Sequence, residues 1–183
     1  MQSLLQTTEF GLYCPTGDFY VDPRRPVARA VVTHAHTDHA RWGCRHYLSA
    51  QPGEHLLRMR MNSDAEFQFL KYGESIKING VDVSFHPAGH MLGSAQVRLE
   101  YRGQIAVVTG DYKLGVDPTC ASWQPIKCHL MVTESTRYFQ EEGRNATVID
   151  SRLRSESDED AMDDAAASDA MAAPDESISG VNS

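Results

Sequence analysis

Four side chains of types that bind metal ions lie within six consecutive positions, in the stretch THAHTDHA at residues 33–40. They are His34, His36, Asp38 and His39. At the histidine and aspartate content of this chain, the pattern H-x-H-x-D-H arises by chance in roughly one such chain in a thousand. A polar loop of unrelated residues is the alternative interpretation, and the rarity of the pattern favours a metal site over it.

The spacing of these four side chains divides them between two cations. Side chains two positions apart on an extended segment share a face, so His34 and His36 can bind one ion. Asp38 and His39 follow in the stretch DHARWG, residues 38–43, which predicts one or two helical turns with Asp38 near the N-cap. Adjacent side chains diverge there, so we expect these two to face a second ion.

Two metal ions need more than four protein ligands, and further candidates follow predicted strands. His90 lies among small residues in HPAGHMLGS, and Asp111 ends the apolar run VVTGD, where a carboxylate is suited to bridging two cations. Asp22, at the end of FYVD, is expected to orient a ligating histidine by accepting its ring N–H. Taken alone, His90 or Asp111 would more often be a turn or cap residue.

The elements that must position these residues are mostly β-strands. Strands are predicted over residues 18–22, 28–34 and 129–135, and the second is apolar enough to be buried on both faces. Two hairpins are predicted over residues 75–86 and 95–111, turning at Asn79-Gly80 and Arg102-Gly103. Residues 53–73 are expected to hold one or two helices. Strands outnumber helices, which favours a layered α/β (α+β) fold with mixed sheets over a doubly wound one.

The formal charge of −8 belongs to the C-terminal end of the sequence. Residues 150–183 carry 10 acidic and 2 basic side chains, whereas residues 1–149 carry 15 of each sign. The stretch 143–183 lacks aromatic residues and nearly lacks branched aliphatic ones, so we expect a folded domain over 1–142 followed by a disordered acidic tail. The balanced charge of the first part neither supports nor excludes a nucleic-acid substrate, because binding depends on local charge and bound cations.

Cysteine spacing and hydropathy bear on the cellular compartment. The four cysteines form no CxxC pair, so neither a zinc ribbon nor a redox motif is indicated, and we interpret them as reduced thiols, with a disulfide framework as the alternative. The N-terminus lacks the pattern of a secretion signal, and no run approaches the length of a membrane span. The sequence therefore predicts a soluble, cytoplasmic protein without membrane association.

Together the motifs resemble the metallo-β-lactamase superfamily, whose signature is HxHxDH followed by a later His and a later Asp. Within it, HPAGHMLGSA, TGDYKL and TEST resemble the β-CASP nucleases. The segments YCPTGDFYVDPRRPVARAVVTHAHTDHAR and PAGHMLGSAQVRLEYRGQIAVVTGDYKLGVDPTCASW are most similar to bacterial ligase-associated DNA exonucleases, and next to mRNA 3′-end-processing endonucleases. The resemblance runs from about Gly11 to Thr136.

The resemblance implies a role for each matched residue. The first zinc ion would be bound by His34, His36 and His90, the second by Asp38 and His39, and both by Asp111, with manganese as an alternative metal. Asp22 matches the early aspartate of the family. Glu134 matches the acidic residue that begins the β-CASP motifs, and the implied catalytic residues are Asp38, Asp111 and Glu134.

The function implied is phosphodiester hydrolysis by a zinc-dependent DNA exonuclease of DNA repair, with DNA rather than RNA as substrate and association with a DNA ligase or helicase. An RNA-processing β-CASP nuclease and a small-substrate metallohydrolase are the alternatives. The implied fold is an αββα sandwich, of which this sequence matches the N-terminal half. No His follows His129, so the further histidine that the family supplies to the second zinc has no match, and a truncated, inactive chain is a further expectation.

Overall fold

The computed structural model describes residues 3–61 and 64–133, which form eleven β-strands and one α-helix. The strands are β1 (Gln6–Thr8), β2 (Gly11–Cys14), β3 (Phe19–Val21), β4 (Arg29–Val32), β5 (His46–Ala50), β6 (Glu66–Leu70), β7 (Ser75–Ile78), β8 (Val81–Pro87), β9 (Ala95–Tyr101), β10 (Gln104–Val108) and β11 (Leu130–Val132). The helix is α1 (Glu54–Arg60), preceded by a 3-10 turn over Gln51–Gly53. The predicted boundary at residue 142 and the predicted tail over 143–183 lie outside the described residues.

The strands form two mixed sheets. The first has the order β1-β2-β3-β4-β5-β6, antiparallel from β1 to β3 and parallel from β3 to β6. The second has the order β11-β10-β9-β8-β7, antiparallel except for the parallel pair β10 and β11. The prediction of a layered fold with mixed sheets is confirmed for this part of the chain.

The two sheets pack face to face because each presents an apolar face to the other. One shared core joins apolar side chains of both sheets, and its largest members include Phe19, Val21, Val31, Leu48, Val83, Phe85, Val97 and Leu99. All of them are almost fully buried. The sandwich brings the ends of β4, β8 and β10 to one edge, where the candidate ligands follow.

Helix α1 covers the outer face of the first sheet. Its Leu57 is buried in a second apolar cluster with Val32 and Tyr47, which point away from the sandwich core. Strand β4 is therefore buried on both faces, as its apolar composition predicts. Helix, first sheet and second sheet form three successive layers, and residues 3–61 and 64–133 contain no second α-helix to form the fourth layer of the expected αββα sandwich.

Both predicted hairpins are confirmed. Asn79 and Gly80 have φ of 47° and 89°, and Arg102 and Gly103 have φ of 48° and 75°. Positive φ at both turn positions matches the twist of the flanking strands, which is why Asn-Gly is a strong hairpin signal. The predicted strand over 129–135 is confirmed as β11 as far as its described residues extend.

Of the two helix predictions, the one over residues 38–43 is wrong, and the one over 53–73 is confirmed for a single helix, α1, but not for the residues that form β6. Residues 38–43 form a turn, in which the amide of Ala40 donates to the carbonyl of His36 at 2.8 Å, and Gly43 with φ of 91° ends it. Residues 53–73 hold one helix followed by strand β6. In β6 the alternating Phe67 and Phe69 face the helix, and this period of two is the signal that the helical interpretation missed.

Candidate metal centre

The ligand-type side chains meet where the two sheets come together at one edge of the sandwich. The amide of Ala95, which begins β9, donates to the carbonyl of Thr33, directly after β4, at 2.9 Å. This bond joins the second sheet to the residue that precedes His34. The loops after β8 and β10 then carry His90 and Asp111 to the same edge.

Three histidines and one aspartate form the first donor set. Nδ1 of His36 lies 3.0 Å from Nε2 of His34 and 3.3 Å from Nε2 of His90. Oδ2 of Asp111 lies 3.4 Å from Nε2 of His90 and 3.8 Å from Nε2 of His34. Donors bound tetrahedrally at zinc distances lie about 3.3 Å apart. The set therefore fits a zinc-sized cation with only small adjustments.

A second donor set lies on the other side of Asp111. Oδ1 of Asp111 is 3.7 Å from Nε2 of His39, and Oδ2 of Asp38 is 3.6 Å from the same nitrogen. Asp111 thus presents one carboxylate oxygen to each set, which is the arrangement of a bridging ligand. Asp38 has its side chain 68% exposed, so this second position faces solvent.

Asp22 lies behind the second donor set. Its Oδ2 is 2.8 Å from Nδ1 of His39. An ionised carboxylate can only accept, so Nδ1 carries the proton and Nε2 keeps its lone pair for a metal. Asp22 also accepts the amide of Thr33 at 2.8 Å and its hydroxyl at 2.6 Å.

Thr33 extends this orientation to the first donor set. Because its hydroxyl hydrogen goes to Asp22, its Oγ1 accepts from Nδ1–H of His34 at 3.1 Å. The remaining Nε2 of His34 is the atom that faces His36 and Asp111. One carboxylate, that of Asp22, therefore fixes the ring orientation of a histidine in each set, and the sequence offers Thr33 no signal beyond its place beside His34.

Burial favours the neutral form of two histidines of the first set, His34 and His90. Burial, reinforced by the nearby His39, His36 and His90, lowers the pKa of His34 to about 2. Burial also lowers the pKa of His90, against the opposing effect of Asp111. Metal-binding imidazoles must be unprotonated, so these rings need not lose a proton at neutral pH before a cation binds.

Two glycines permit the close approach of the ligand loops. Gly110 has φ of 52°, and a Cβ there would lie 2.5 Å from Oγ1 of Thr33. Gly89 has φ of 76°, and a Cβ there would overlap the carbonyl oxygen of Lys113. The sequence suggested small residues near His90, but it gave no indication that the loop carrying Asp111 packs directly onto Gly89.

Two further residues hold the ligand loops in place. Oγ of Ser94 accepts the amides of His90 and Met91, each at 3.1 Å, which closes the loop after β8. Arg60, in the last turn of α1, donates from Nη1 to the carbonyl of Ala35 at 2.6 Å. Ala35 lies between His34 and His36, so the helix is tied to the first donor set. Sequence spacing alone could not reveal either contact.

The structure brings together six of the predicted ligands, with Asp22 directly behind them. Glu134 lies outside the described residues. The groups that the structure assembles are His34, His36, Asp38, His39, His90 and Asp111. Their roles as metal ligands and catalytic residues stay predictions, as does that of Glu134.

Sequence comparison relates the chain to longer proteins. No family model matches it. A stretch of 128 residues is 31% identical to a protein of Opitutus terrae named a probable DNA ligase, covering 69% of this chain and 12% of that protein. A stretch of 78 residues is 30% identical to the endoribonuclease YSH1 of Saccharomyces cerevisiae, covering 42% of this chain and 10% of that protein.

These relatives agree with the motif and with the assembled donor sets. They are consistent with the resemblance of this chain to the metallo-β-lactamase superfamily. The match to YSH1 is consistent with the resemblance of the sequence motifs to the β-CASP branch. The chain spans about a tenth of the length of the curated relatives it matches.

Several solved structures overlap this chain over part of its length. Metallo-β-lactamase SMB-1 bound to 2-mercaptoethanesulfonate gives a TM-score of 0.45 at 16% identity, over 58% of this chain and 57% of that one. A Cronobacter sakazakii metallo-β-lactamase mutant gives 0.40 at 12% identity, over 50% and 44%. Zinc-bound PqqB from Methylobacterium extorquens gives 0.39 at 8% identity, over 57% and 44%.

Among the described residues, no helix has both the length and the apolar character that a membrane span requires.

Proposed function

We propose that this metallo-β-lactamase-type chain carries the metal centre of a zinc-dependent phosphodiesterase that hydrolyses DNA as an exonuclease in repair. The observation that carries the proposal is the position of Asp111, with Oδ2 3.4 Å from His90 and Oδ1 3.7 Å from His39. A carboxylate shared by two histidine-containing sets is suited to a pair of cations. Paired metal sites are a common solution for hydrolysing phosphodiesters.

Each residue of the site has a distinct task in this proposal. When bound, two zinc ions would supply the Lewis acidity that activates water and neutralises charge on the phosphate oxygens. The first donor set would hold one ion, and Asp38 with His39 would contribute to the other. Asp38 is the exposed carboxylate of the site, so it is also placed to accept a proton from an attacking water. Asp22 would keep His39 in the tautomer that leaves Nε2 free.

DNA is the proposed substrate because the longer of the two matches is to a protein named a probable DNA ligase. The same match supports the proposal that the chain works beside a DNA ligase. Association with a helicase is proposed from the family resemblance alone, and the cytoplasm is the location that the sequence predicts. The match to an endoribonuclease favours RNA as the alternative substrate. Presenting both nucleic acids at equal concentration separates these two possibilities.

The test of the proposed function combines metal content with cleavage. The purified chain should contain between one and two zinc ions per molecule and should shorten single-stranded DNA labelled at either end. His34→Ala and Asp111→Asn should each lose zinc and activity by at least about a hundredfold. His55→Ala is the matched control, because His55 is an exposed histidine on α1 that belongs to neither donor set.

Two results would contradict the proposal. Fewer than one zinc ion per folded chain would remove the metal centre from it. A zinc-loaded chain that cleaves neither DNA nor RNA, but turns over a chromogenic lactam or thioester, would instead identify a small-substrate metallohydrolase.

A further inference from the structure

The large apolar side chains that are exposed in the described part of the chain border the segments that form the metal centre. They are Trp42, Met59, Leu92, Leu114 and Val116. Four of them follow a candidate ligand by two to five residues along the chain. The fifth, Met59, precedes Arg60, whose side chain binds the backbone between His34 and His36. Exposed apolar groups concentrated beside a site commonly mark the surface that receives its ligand.

Trp42 is the only aromatic residue of this set, and its backbone is held firmly. The buried hydroxyl of Tyr47 donates to the carbonyl of Arg41 at 2.6 Å and accepts the amide of Cys44 at 3.0 Å. These bonds fix the turn on both sides of Trp42, although its side chain is 62% exposed. The indole is thus presented to solvent from a rigid turn, so little backbone entropy would be lost when a ligand contacts it.

The position of Trp42 limits what it can contact. It lies three residues beyond His39, so their Cα atoms are at most about 11 Å apart. Successive nucleotides of a strand advance by about 3.4 Å in a duplex and by more when the strand is extended. A strand with its phosphodiester at the metal centre would therefore have Trp42 within the span of a few nucleotides of the scissile bond.

We propose that Trp42 stacks on an unpaired nucleobase next to the scissile phosphodiester and so makes single-stranded nucleic acid the preferred substrate. This inference rests on the proposed function. Every base has a π-face, so stacking on an indole tolerates any sequence, as a repair exonuclease requires. Arg41, adjacent in sequence and partly buried, places a cation in the same turn as Trp42, which favours an anionic strand. A docked protein surface is the competing occupant, and it would use the apolar area of Trp42 rather than its ring.

The experiment separates ring stacking from apolar contact. The zinc-loaded 183-residue chain is titrated with a fluorescein-labelled, phosphorothioate single-stranded DNA that resists cleavage, and binding is followed by anisotropy. Trp42→Phe keeps a ring, Trp42→Leu keeps apolar area without a ring, and Val116→Ala removes exposed apolar area elsewhere. A duplex of the same sequence and a strand with abasic sites near the end are the comparison ligands, and cleavage of the unmodified strand is measured in parallel.

We expect Trp42→Leu to weaken single-strand binding by about five- to tenfold, the lower range for stacking on one exposed ring. The dissociation constant of Trp42→Phe should stay within about twofold of that of the unmodified chain, and that of Val116→Ala should not change. The abasic strand should bind Trp42→Leu and the unmodified chain equally well. Equal binding by Trp42→Leu and the unmodified chain, with cleavage intact, would overturn the stacking role and leave the nuclease proposal standing. A zinc-loaded chain that neither binds nor cleaves the strand would overturn both.

Discussion

The ring N–H of His39 donates to the carboxylate of Asp22 at 2.8 Å, and the same carboxylate also receives the hydroxyl of Thr33 at 2.6 Å. Through Thr33 it reaches His34, so the orientation of both donor sets depends on one aspartate. The metal affinities of both positions should therefore change when this carboxylate is replaced, although Asp22 contacts a histidine of only the second position.

Replacing Asp22 should weaken both metal positions, the second more than the first. Asp22→Asn keeps an acceptor for Thr33 but loses the charge that fixes the His39 tautomer, so we expect zinc affinity at the second position to fall about ten- to a hundredfold. Asp22→Ala leaves two donors of Thr33 unsatisfied and should also lower the free energy of unfolding by about 1–3 kcal/mol. Zinc titration and urea denaturation measure the two effects.

Asp82→Asn is the matched control for these variants, since Asp82 pairs with Lys77 at an exposed hairpin of the second sheet. It should leave zinc affinity unchanged. Two tightly bound zinc ions in Asp22→Ala would show that Asp22 does not orient the histidines.

Removing the Arg60 side chain should lower zinc affinity even though it removes a positive charge near the site. Charge alone would predict the opposite, because a cation repels a cation. The hydrogen bond to the carbonyl of Ala35 holds the backbone between His34 and His36. We therefore expect the first donor set of Arg60→Met to bind zinc about tenfold more weakly. Chelator competition measures the affinity, and the visible spectrum of the cobalt-substituted chain reports its geometry.

Arg58→Met serves as the comparison for Arg60→Met. Arg58 lies in the same helix but pairs with Glu54 and covers the rings of Phe67 and Phe69. It should change stability without changing the cobalt spectrum. If Arg60→Met binds zinc more tightly than the unmodified chain, charge repulsion outweighs the hydrogen bond and the positioning role is wrong.

The sequence identified the candidate ligands because their side chains follow local rules. Histidines two apart after a buried strand, and Asn79-Gly80 between alternating segments, carry their meaning within a few residues. The turn over 38–43 was mistaken for a helix because its conformation is set from outside, by the approach of His39 to Asp22 and by the hydroxyl of Tyr47. The contacts of Arg60 and Gly89 were likewise invisible, since each joins segments more than twenty residues apart.

Gly89→Ala should displace the loop that carries His90. A Cβ at this position has both an unfavourable positive φ and an overlap with the backbone of Lys113, which no rotamer change can relieve. The dihedral alone costs about 1–2 kcal/mol. Gly73→Ala is a matched control, because Gly73 has a similar φ of 79° and nothing within 4 Å of the added carbon.

The difference between these two alanine variants isolates the packing of the loop after β8 against the loop after β10. We expect Gly89→Ala to lose more unfolding free energy than Gly73→Ala and to lose zinc binding as well, whereas Gly73→Ala should bind zinc normally. Equal stability and equal zinc content in the two variants would mean that the loops can separate without cost.

Removing the metal should lower the melting temperature of the chain. A ligand that binds only the folded state at a thousand times its dissociation constant stabilises that state by about 4 kcal/mol. The donor sets join segments of both sheets, from His34 to Asp111, so a cation bound there would cross-link the edge of the sandwich.

Thermal unfolding is measured before and after dialysis against a chelator, and again after zinc is restored. Zinc should recover the original transition, whereas magnesium should not, because magnesium prefers oxygen ligands over imidazole nitrogen. His34→Ala should melt at the chelated value with or without zinc. If the chelator leaves the melting temperature of the unmodified chain unchanged, the histidines and Asp111 assemble without a resident metal.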